Sequence, residues 1–315
     1  MRAISQDEFG GPEVLRLVEL ERPEPLPTEV LVRVHAAGVN PVDFKTREGS
    51  GMAGVLGKPP FVLGWDVSGV VEQVGGGVHT LAVGDEVFGM PWFPRAASAY
   101  SEYVTAPSRQ FARKPANVSH AEAAALPLAG LTAWEILTAA AHVKPGQRVL
   151  ITAAAGGVGH LAVQFAKQLG AYVVGTASAG KHEWLRGLGA DEVIDYHSTA
   201  VEDAVAEIDV VVDLIGSETT STQALAVLKP GGQLVAVPSG TSAELLAKAR
   251  AAGVHATGFL VEPDGHALGE IARLVEAGDV RVEVEQVFPL TEAAEAHRRM
   301  ASGRTRGKLV LDTIS

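Results

Sequence analysis

One segment, residues 148–178, limits the folds open to this chain more than any other. Its sequence, RVLITAAAGGVGHLAVQFAKQLGAYVVGTAS, has the pattern of a strand, a glycine-rich turn, an amphipathic helix, a glycine and a second strand. Ala153, Gly156 and Gly159 form A-x-x-G-x-x-G, a variant of the dinucleotide-binding fingerprint. Gly156 would let the backbone approach a pyrophosphate, and Gly159 would let the helix pack closely on the strand. The segment predicts a dinucleotide site, with an ordinary tight turn between strand and helix as the alternative.

The end of the second strand indicates which dinucleotide binds. An NAD site usually places Asp or Glu about 20 residues after the fingerprint, where the carboxylate binds the ribose 2′-hydroxyl. Here the strand ends 175-GTAS-178 without an acid, and Lys181 follows. A hydroxyl from Ser178 and a cation from Lys181 suit a 2′-phosphate. The sequence therefore predicts NADP as the cofactor, the alternative being that Lys181 is only a solvated helix residue.

The order of strand and helix patterns predicts two domains. Residues 1–120 are rich in β patterns, such as the alternating segment EVLVRVHAAGV at 29–39. After Ser119, with which Glu122 forms a capping-box pattern, helices alternate with apolar strands, as in a parallel sheet buried on both faces. The last two strand patterns of the chain resemble those of the β-rich residues 1–120. We therefore expect an α/β protein in which a doubly wound domain (123–261) is inserted into a β-rich domain (1–122 and 262–315).

Composition excludes several classes of protein. The 315 residues include no cysteine, which rules out disulfide frameworks, thiolate zinc sites, iron–sulfur clusters and cysteine nucleophiles. The histidines lack metal-ligand spacing, so no metal is expected. A net charge of −11 disfavours nucleic acid and anionic membranes as main partners. The longest apolar stretch, 123–134, is too short for a membrane helix, and the acidic start has no signal-peptide pattern, so a cytoplasmic location is expected.

Motifs along the whole chain resemble those of one known family. They are AAGVNPVDFKTREG (36–49), PFVLGWDVSGVVEQVG (60–75), GDEVFG (84–89), LPLAGLTAWEIL (126–137), AAAGGVG (153–159), LGADEVIDY (188–196), DVVVDLIGS (209–217) and GKLVLD (307–312). With these motifs the chain resembles the zinc-free, zeta-crystallin-like quinone oxidoreductase branch of the medium-chain dehydrogenase/reductase superfamily. The resemblance implies a GroES-like β-rich catalytic domain with an inserted Rossmann domain. It also implies NADPH in the cleft between them, and reduction of a quinone or an α,β-unsaturated carbonyl.

The resemblance further implies which residues contact the cofactor. Ser178, Lys181 and Tyr196 would surround the 2′-phosphate. Thr132 would lie near the nicotinamide ribose, and Lys308 belongs to a terminal motif that often reaches the cleft. The other implied contacts lie in turns and at strand ends: Ala155, Gly156, Gly157, Val158, Leu214, Ile215, Pro238, Ser239, Phe259, Leu260 and Val261.

Asn40, Asp43 and Lys45, which follow a strand pattern, are the candidates for catalysis. Lys45 could bind the cofactor ribose, or polarise a substrate carbonyl and stabilise the developing enolate. The alternatives are a turn residue for Asn40, a helix cap for Asp43 and a solvated side chain for Lys45. Many quinone reductases have tyrosine at the position of Lys45, and lysine there is similar to the alkenal/enone reductases. Zinc-dependent members of the superfamily have Gly-His-Glu where this chain has 64-GWD-66.

Aromatic residues in the loop 90–103 are the candidates for a substrate pocket. Trp92, Phe93 and Tyr100 could wall a pocket for a flat apolar substrate, and Met52 on the glycine-rich loop 49–60 is a weaker candidate. The alternative is that these aromatic side chains pack as a lid on the core.

The strand pattern HATGFLV (255–261) is expected at the edge of the parallel sheet. Pairing of this edge with its two-fold mate would give a homodimer, which the resemblance also implies. The sequence is compatible with two functions: a reductase acting on a small-molecule quinone or enone, and a cofactor-binding protein without catalysis.

Overall fold

The computed structural model describes residues 1–237 and 241–314. The strands are β1 (Arg2–Gln6), β2 (Arg16–Glu19), β3 (Glu29–Val39), β4 (Phe61–Val62), β5 (Asp66–Val74), β6 (Glu86–Gly89), β7 (Tyr103–Pro107), β8 (Phe111–Arg113), β9 (Arg148–Ile151), β10 (Tyr172–Thr176), β11 (Glu192–Ile194), β12 (Ile208–Asp213), β13 (Leu228–Ala236), β14 (His255–Gly258), β15 (Val284–Pro289) and β16 (Lys308–Asp312). The helices are α1 (Pro41–Arg47), α2 (Ala53–Leu56), α3 (His120–Ala124), α4 (Pro127–Glu135), α5 (Gly157–Gln168), α6 (His182–Gly187), α7 (Val201–Ala204), α8 (Glu218–Val227), α9 (Ala243–Ala251), α10 (Gly265–Glu276) and α11 (Ala293–Ala301).

The chain divides into two compact units. The first consists of Met1–Leu131 and the residues from Glu262 onward, and the second is Thr132–Val261. The division lies after Leu131, whereas the sequence places it after residue 122. The difference has a packing cause, because Ala124 and Ala125 share a buried cluster with strands β3 and β16 of the first unit. The backbone N–H of Leu128 also donates to Asp66 of that unit, at 2.7 Å.

The first unit is built on a mostly antiparallel sheet of seven strands in the order β15-β16-β3-β5-β6-β8, with β7 also paired to β3. Its longest strand, β3, has partners on both sides and is buried along most of its length. A second sheet has the order β2-β1-β4. Helix α1 begins directly after β3, with Asn40 at its N-cap. This connection places the polar residues of α1 at one end of the central strand.

The second unit contains a parallel sheet of six strands in the order β11-β10-β9-β12-β13-β14. The strand cores, such as Val149–Ile151 in β9, are almost completely buried. These apolar runs confirm the expected doubly wound sheet, since both faces are covered. The order of the strands reverses between β9 and β12, and such a switch point is where open α/β sheets bind their ligands.

Several segments differ in extent from the sequence patterns. The strand expected at 255–261 ends at Gly258, and the one expected at 280–288 begins at Val284. The glycine-rich segment 49–60, expected as a loop, contains the short helix α2. Strand β14 does lie at an end of the parallel sheet, as expected. Among residues 1–237 and 241–314, no helix is both long and apolar enough to cross a membrane.

Candidate functional site

The turn between β9 and α5 in the second unit has the geometry that the fingerprint predicts. Ala153 takes a positive φ of 47°, a conformation that glycine adopts more easily. A Cβ on Gly159 would lie 2.4 Å from the carbonyl oxygen of Ala153 and 2.7 Å from the Cα of Ala154. Only glycine at position 159 therefore lets α5 approach the turn this closely.

The N-terminus of α5 presents its first amides beside this turn. Gly156 is the N-cap, and Gly157 and Val158 begin the helix, while Ala155 is buried in the turn. The first N–H groups of an α-helix have no acceptor within the helix, and the helix dipole adds a partial positive charge there. A phosphate at this point would accept hydrogen bonds from the backbone without needing a side chain.

A group of buried hydroxyls and one carboxylate fixes the strand ends around the turn. Thr152 donates to Asp213 at 3.0 Å and accepts from the N–H of Leu214 at 2.8 Å. The same Asp213 oxygen accepts from the N–H groups of Ile215 and Gly216, both at 3.1 Å. The sequence analysis missed Thr152, although a threonine directly between an apolar strand and a glycine-rich turn is a recognisable signal.

The residues expected around a 2′-phosphate lie at one edge of the parallel sheet. Thr176 of β10 is in register with Ile194 of β11, and Ser178 and Tyr196 each follow two residues later. The two residues therefore follow the carboxyl ends of neighbouring strands. Tyr196 is 54% exposed and Lys181 is half-buried. A cleft of about 260 Å³ is lined by residues that include Thr152, Thr176, Tyr196, Ile215 and Ser217.

The other expected cofactor contacts have varied surroundings. Ile215 and Leu260 are exposed, at 46% and 55%, after the ends of β12 and β14. Thr132 and Val261, at the two ends of the second unit, are buried. Leu214 and Phe259 are half-buried, and Phe259 donates its N–H to Ala236 at 3.0 Å. Pro238 and Ser239 lie outside the described residues.

In the first unit, Asn40 belongs to a buried polar cluster with Asp66 and Lys308. Asn40 Nδ2 donates to Asp66 at 2.8 Å. Lys308 Nζ donates to Asn40 Oδ1, to the carbonyl of Val39 at 3.0 Å and to Asp66 at 3.5 Å. These three acceptors match the three N–H groups of the ammonium. The expectation that Lys308 contacts the cofactor is therefore corrected: its ammonium is buried and holds Asn40 and Asp66 in place.

Asp43 is fully buried and performs the helix-capping role that sequence reasoning gave as its alternative. Its carboxylate accepts from the N–H of Asn40 at 2.7 Å, which completes a capping box at the start of α1. It also accepts from the hydroxyl of Tyr100 at 2.8 Å. Burial raises the pKa of Asp43 to about 7, against the opposing effect of these two hydrogen bonds.

The aromatic residues of the loop 90–103 face the core more than expected. Tyr100 is fully buried and hydrogen-bonded to Asp43, so its assignment to a pocket wall is corrected. Phe93 is also buried and packs edge-on against Trp65, with ring centroids 5.5 Å apart, so it too belongs to the core. Trp92 is half-buried and donates its indole N–H to the carbonyl of Thr105 at 2.8 Å.

Lys45 and Met52 remain as partly accessible candidates in this region. Both are half-buried. Thr46, in the last turn of α1, accepts from the N–H of Met52 at 2.9 Å and so ties the segment after α1 to the helix that carries Lys45. Within residues 1–237 and 241–314, no three histidine, aspartate or glutamate side chains are grouped as metal ligands.

Comparisons with known proteins agree with this architecture. Residues 26–116 match the family model of the alcohol dehydrogenase GroES-like domain, and residues 188–311 match that of the zinc-binding dehydrogenases. The chain is 35% identical to the chloroplastic NADPH-dependent alkenal/one oxidoreductase of Arabidopsis thaliana, over 100% of this chain and 80% of that protein.

Two solved structures are similar over nearly the full length of both chains. The quinone oxidoreductase from Coxiella burnetii has a TM-score of 0.93 and 40% identity, covering 99% of each chain. The Escherichia coli quinone oxidoreductase complexed with NADPH has a TM-score of 0.88 and 30% identity, covering 99% of this chain and 100% of that one. This chain therefore belongs to the medium-chain dehydrogenase/reductase superfamily, among its quinone oxidoreductases and enone reductases.

Proposed function

We propose that this protein is an NADPH-dependent reductase that transfers hydride to a quinone or to the β-carbon of an α,β-unsaturated carbonyl compound. The observation that carries the proposal is the close approach of α5 to the Ala153 turn, which Gly159 permits and which presents helix amides at the switch point of a parallel sheet. The names of the similar proteins support both the cofactor and the two substrate classes.

The residues of the second unit would bind the cofactor by its phosphates. The amides of Gly157 and Val158 face the pyrophosphate position, and Thr152 and Asp213 keep the neighbouring turns rigid. Ser178 and Lys181 supply the hydroxyl and the cation for the 2′-phosphate. When bound, NADPH supplies the hydride from C4 of its nicotinamide.

Lys45 would act on the substrate. An ammonium beside the carbonyl oxygen stabilises the negative charge that develops there when hydride adds to the conjugated carbon. Asn40 and Asp43 do not need to contact the substrate in this account, because their hydrogen bonds hold the N-terminus of the helix that carries Lys45.

Cofactor titration tests the binding part of the proposal. Lys181→Ala should weaken NADPH binding tenfold or more and leave NADH binding unchanged, because a charge-assisted hydrogen bond to the 2′-phosphate contributes about 1.5–3 kcal/mol. Lys144→Ala is the matched control, since Lys144 is exposed before β9, at the opposite end of the sheet. Equal loss for both cofactors in Lys181→Ala would refute the assignment.

Steady-state kinetics with an enone tests the catalytic part. Lys45→Met should lower turnover by about tenfold or more while NADPH affinity stays within about threefold, because the ammonium acts mainly in the transition state. Lys58→Met, an exposed lysine of the same unit, should change neither quantity. A fall in NADPH affinity together with the rate would instead place Lys45 at the cofactor ribose. NADPH binding without oxidation by any quinone or enone would favour a non-catalytic protein.

Three further features belong to the same proposal. Activity should not require a metal, so elemental analysis should find no stoichiometric zinc and a chelator should leave the rate unchanged. In the described part of the chain, residues 1–237 and 241–314, strand β14 has a neighbour in the sheet order on one side only, which supports a homodimer through paired β14 edges. Light scattering at micromolar concentration should therefore give twice the mass of the 32.8 kDa chain.

A cytoplasmic location stays a prediction, which fractionation of cells tests.

A further inference from the structure

Four buried side chains of the first unit form one hydrogen-bonded chain. Asp43 and Arg47 lie on α1, Tyr100 precedes β7, and His297 lies on α11. Arg47 Nη1 is 3.1 Å from His297 Nδ1, and His297 Nε2 is 3.1 Å from the hydroxyl of Tyr100. Tyr100 donates to Asp43 Oδ2 at 2.8 Å. Each of the four side chains is at most 1% exposed.

The chemistry of the donors fixes the direction of this chain. A guanidinium group has only donor atoms, so His297 must accept at Nδ1 and carry its proton on Nε2. His297 then donates to Tyr100, and the single hydroxyl hydrogen of Tyr100 goes to Asp43. Burial, with the nearby charge of Arg47, lowers the pKa of His297 to about 3, which keeps the ring neutral at physiological pH.

These hydrogen bonds orient the carboxylate of Asp43 and do not conduct protons to it from solvent. Arg47 also pairs with Glu48, which is partly exposed at the surface. A guanidinium does not give up its proton in proteins, so no proton passes from Glu48 through Arg47. The hydrogen bonds from Arg47 through His297 to Tyr100 therefore hold Asp43 Oδ2 in one position.

The arrangement leaves one atom of Asp43 for a proton. Oδ2 already accepts from Asn40 N–H and from Tyr100, whereas Oδ1 is buried without a hydrogen-bond partner among the described residues. Charged groups face Asp43 from other elements: Asp66 on β5 repels its negative charge, and Lys308 on β16 attracts it. Burial and the negative charge of Asp66 raise the pKa of Asp43 to about 7, against the opposing effects of Lys308 and of the hydrogen bonds from Asn40 and Tyr100.

We propose that Asp43 is a positioning residue that the Arg47–His297–Tyr100 chain holds by Oδ2, and that proton uptake at Oδ1 controls how firmly the first turn of α1 is held. A neutral carboxyl group accepts weaker hydrogen bonds than a carboxylate and interacts less favourably with a helix N-terminus. Because Lys45 lies on the same helix, its placement depends on that proton. This last step rests on the proposed reductase function.

Infrared spectroscopy of the protein without cofactor tests the proton site independently of catalysis. A buried carboxylic acid band should titrate with a midpoint near pH 7 and should be absent in Asp43→Asn. Tyr100→Phe removes one donor to the carboxylate, so its midpoint should rise by about one pH unit or more. Tyr103→Phe is the matched control, because Tyr103 lies on β7 beside Arg22, and it should leave the midpoint in place.

Turnover of an enone at saturating NADPH tests the link to Lys45. The rate should fall as the pH drops through the infrared midpoint, and Tyr100→Phe should shift this fall upward by the same amount. A band that persists in Asp43→Asn, or an unchanged midpoint in Tyr100→Phe, overturns the proton site. An infrared shift without a shift of the rate profile overturns the positioning role. Absence of turnover with every acceptor contradicts the proposed function instead, while the infrared result still decides the proton site.

Discussion

Replacing Gly159 by alanine is the most direct structural test of the turn at which the dinucleotide is proposed to bind. The added Cβ would lie 2.4 Å from the carbonyl oxygen of Ala153 and 2.7 and 2.8 Å from the Cα and carbonyl carbon of Ala154. All three are backbone atoms, so a rotamer change cannot relieve the contact. Since carbon contacts are favourable at about 3.5–4.0 Å, the turn and α5 would have to separate by about 1 Å.

Such overpacking should destabilise the protein by about 1–3 kcal/mol. The displaced helix amides would also lose hydrogen bonds to a phosphate, each of which contributes about 1.5–3 kcal/mol, so NADPH affinity should fall tenfold or more. Denaturant unfolding and fluorescence titration of NADPH measure the two effects.

Gly187→Ala is the control for this substitution. Gly187 lies in α6 of the same unit, and a Cβ there would have no heavy atom within 4 Å outside its chain neighbours and the backbone of its own helix. Alanine at this position should leave NADPH affinity unchanged and should be neutral or stabilise by up to about 1 kcal/mol, because alanine favours a helix. If Gly159→Ala has the same free energy of unfolding and the same NADPH affinity as the wild type, the close approach of α5 to the turn is not what forms the site.

Three other substitutions test the buried polar groups. Lys308→Met should destabilise by about 3–5 kcal/mol in urea unfolding, because Asp66 is left buried without its ammonium; a loss under about 1 kcal/mol would contradict the ion pair. Because the pKa of His297 is about 3 in the fold and 6.5 in the unfolded chain, the unfolded state binds the extra proton between these values. The free energy of unfolding should therefore fall as the pH drops from 6.5 toward 3. In His297→Gln this part of the pH dependence should be lost. An unchanged pH dependence would show that His297 does not titrate in this range. Thr152→Val should cost about 1–3 kcal/mol, because Asp213 loses one of its donors and the N–H of Leu214 loses its acceptor; equal stability would rule out this bracing role.

The parts of the fold set by local pattern could be predicted from the sequence. The parallel sheet was predictable because its strands are continuous apolar runs separated by helices. The fingerprint turn was predictable because only small residues fit there, as the contacts of Gly159 show. The helix start at Ser119 was predictable because a capping box requires Glu122 three residues later, and both hydrogen bonds are present.

The parts that depend on long-range packing were not predictable in the same way. Arg47 and His297 are 250 residues apart in the chain, and no local pattern pairs them. Tyr100 and Phe93 lie in a loop pattern that suits an exposed pocket wall as well as a core, and only tertiary packing decides that they are buried. For Lys308 the motif indicated importance, but its three buried acceptors are Val39 on β3, Asn40 at the N-cap of α1 and Asp66 on β5, none of which the motif shows.

Transfer of a labelled hydride tests directly whether the protein reduces an enone with NADPH. The protein is incubated with NADPH that carries deuterium at C4, on the transferred face of the nicotinamide, and with a simple enone. The product is then analysed by mass spectrometry and NMR. If hydride passes from the nicotinamide to the conjugated carbon, the saturated ketone should carry one deuterium on its β-carbon and a solvent proton on its α-carbon. A saturated product without deuterium, or a label only on the α-carbon, would contradict it.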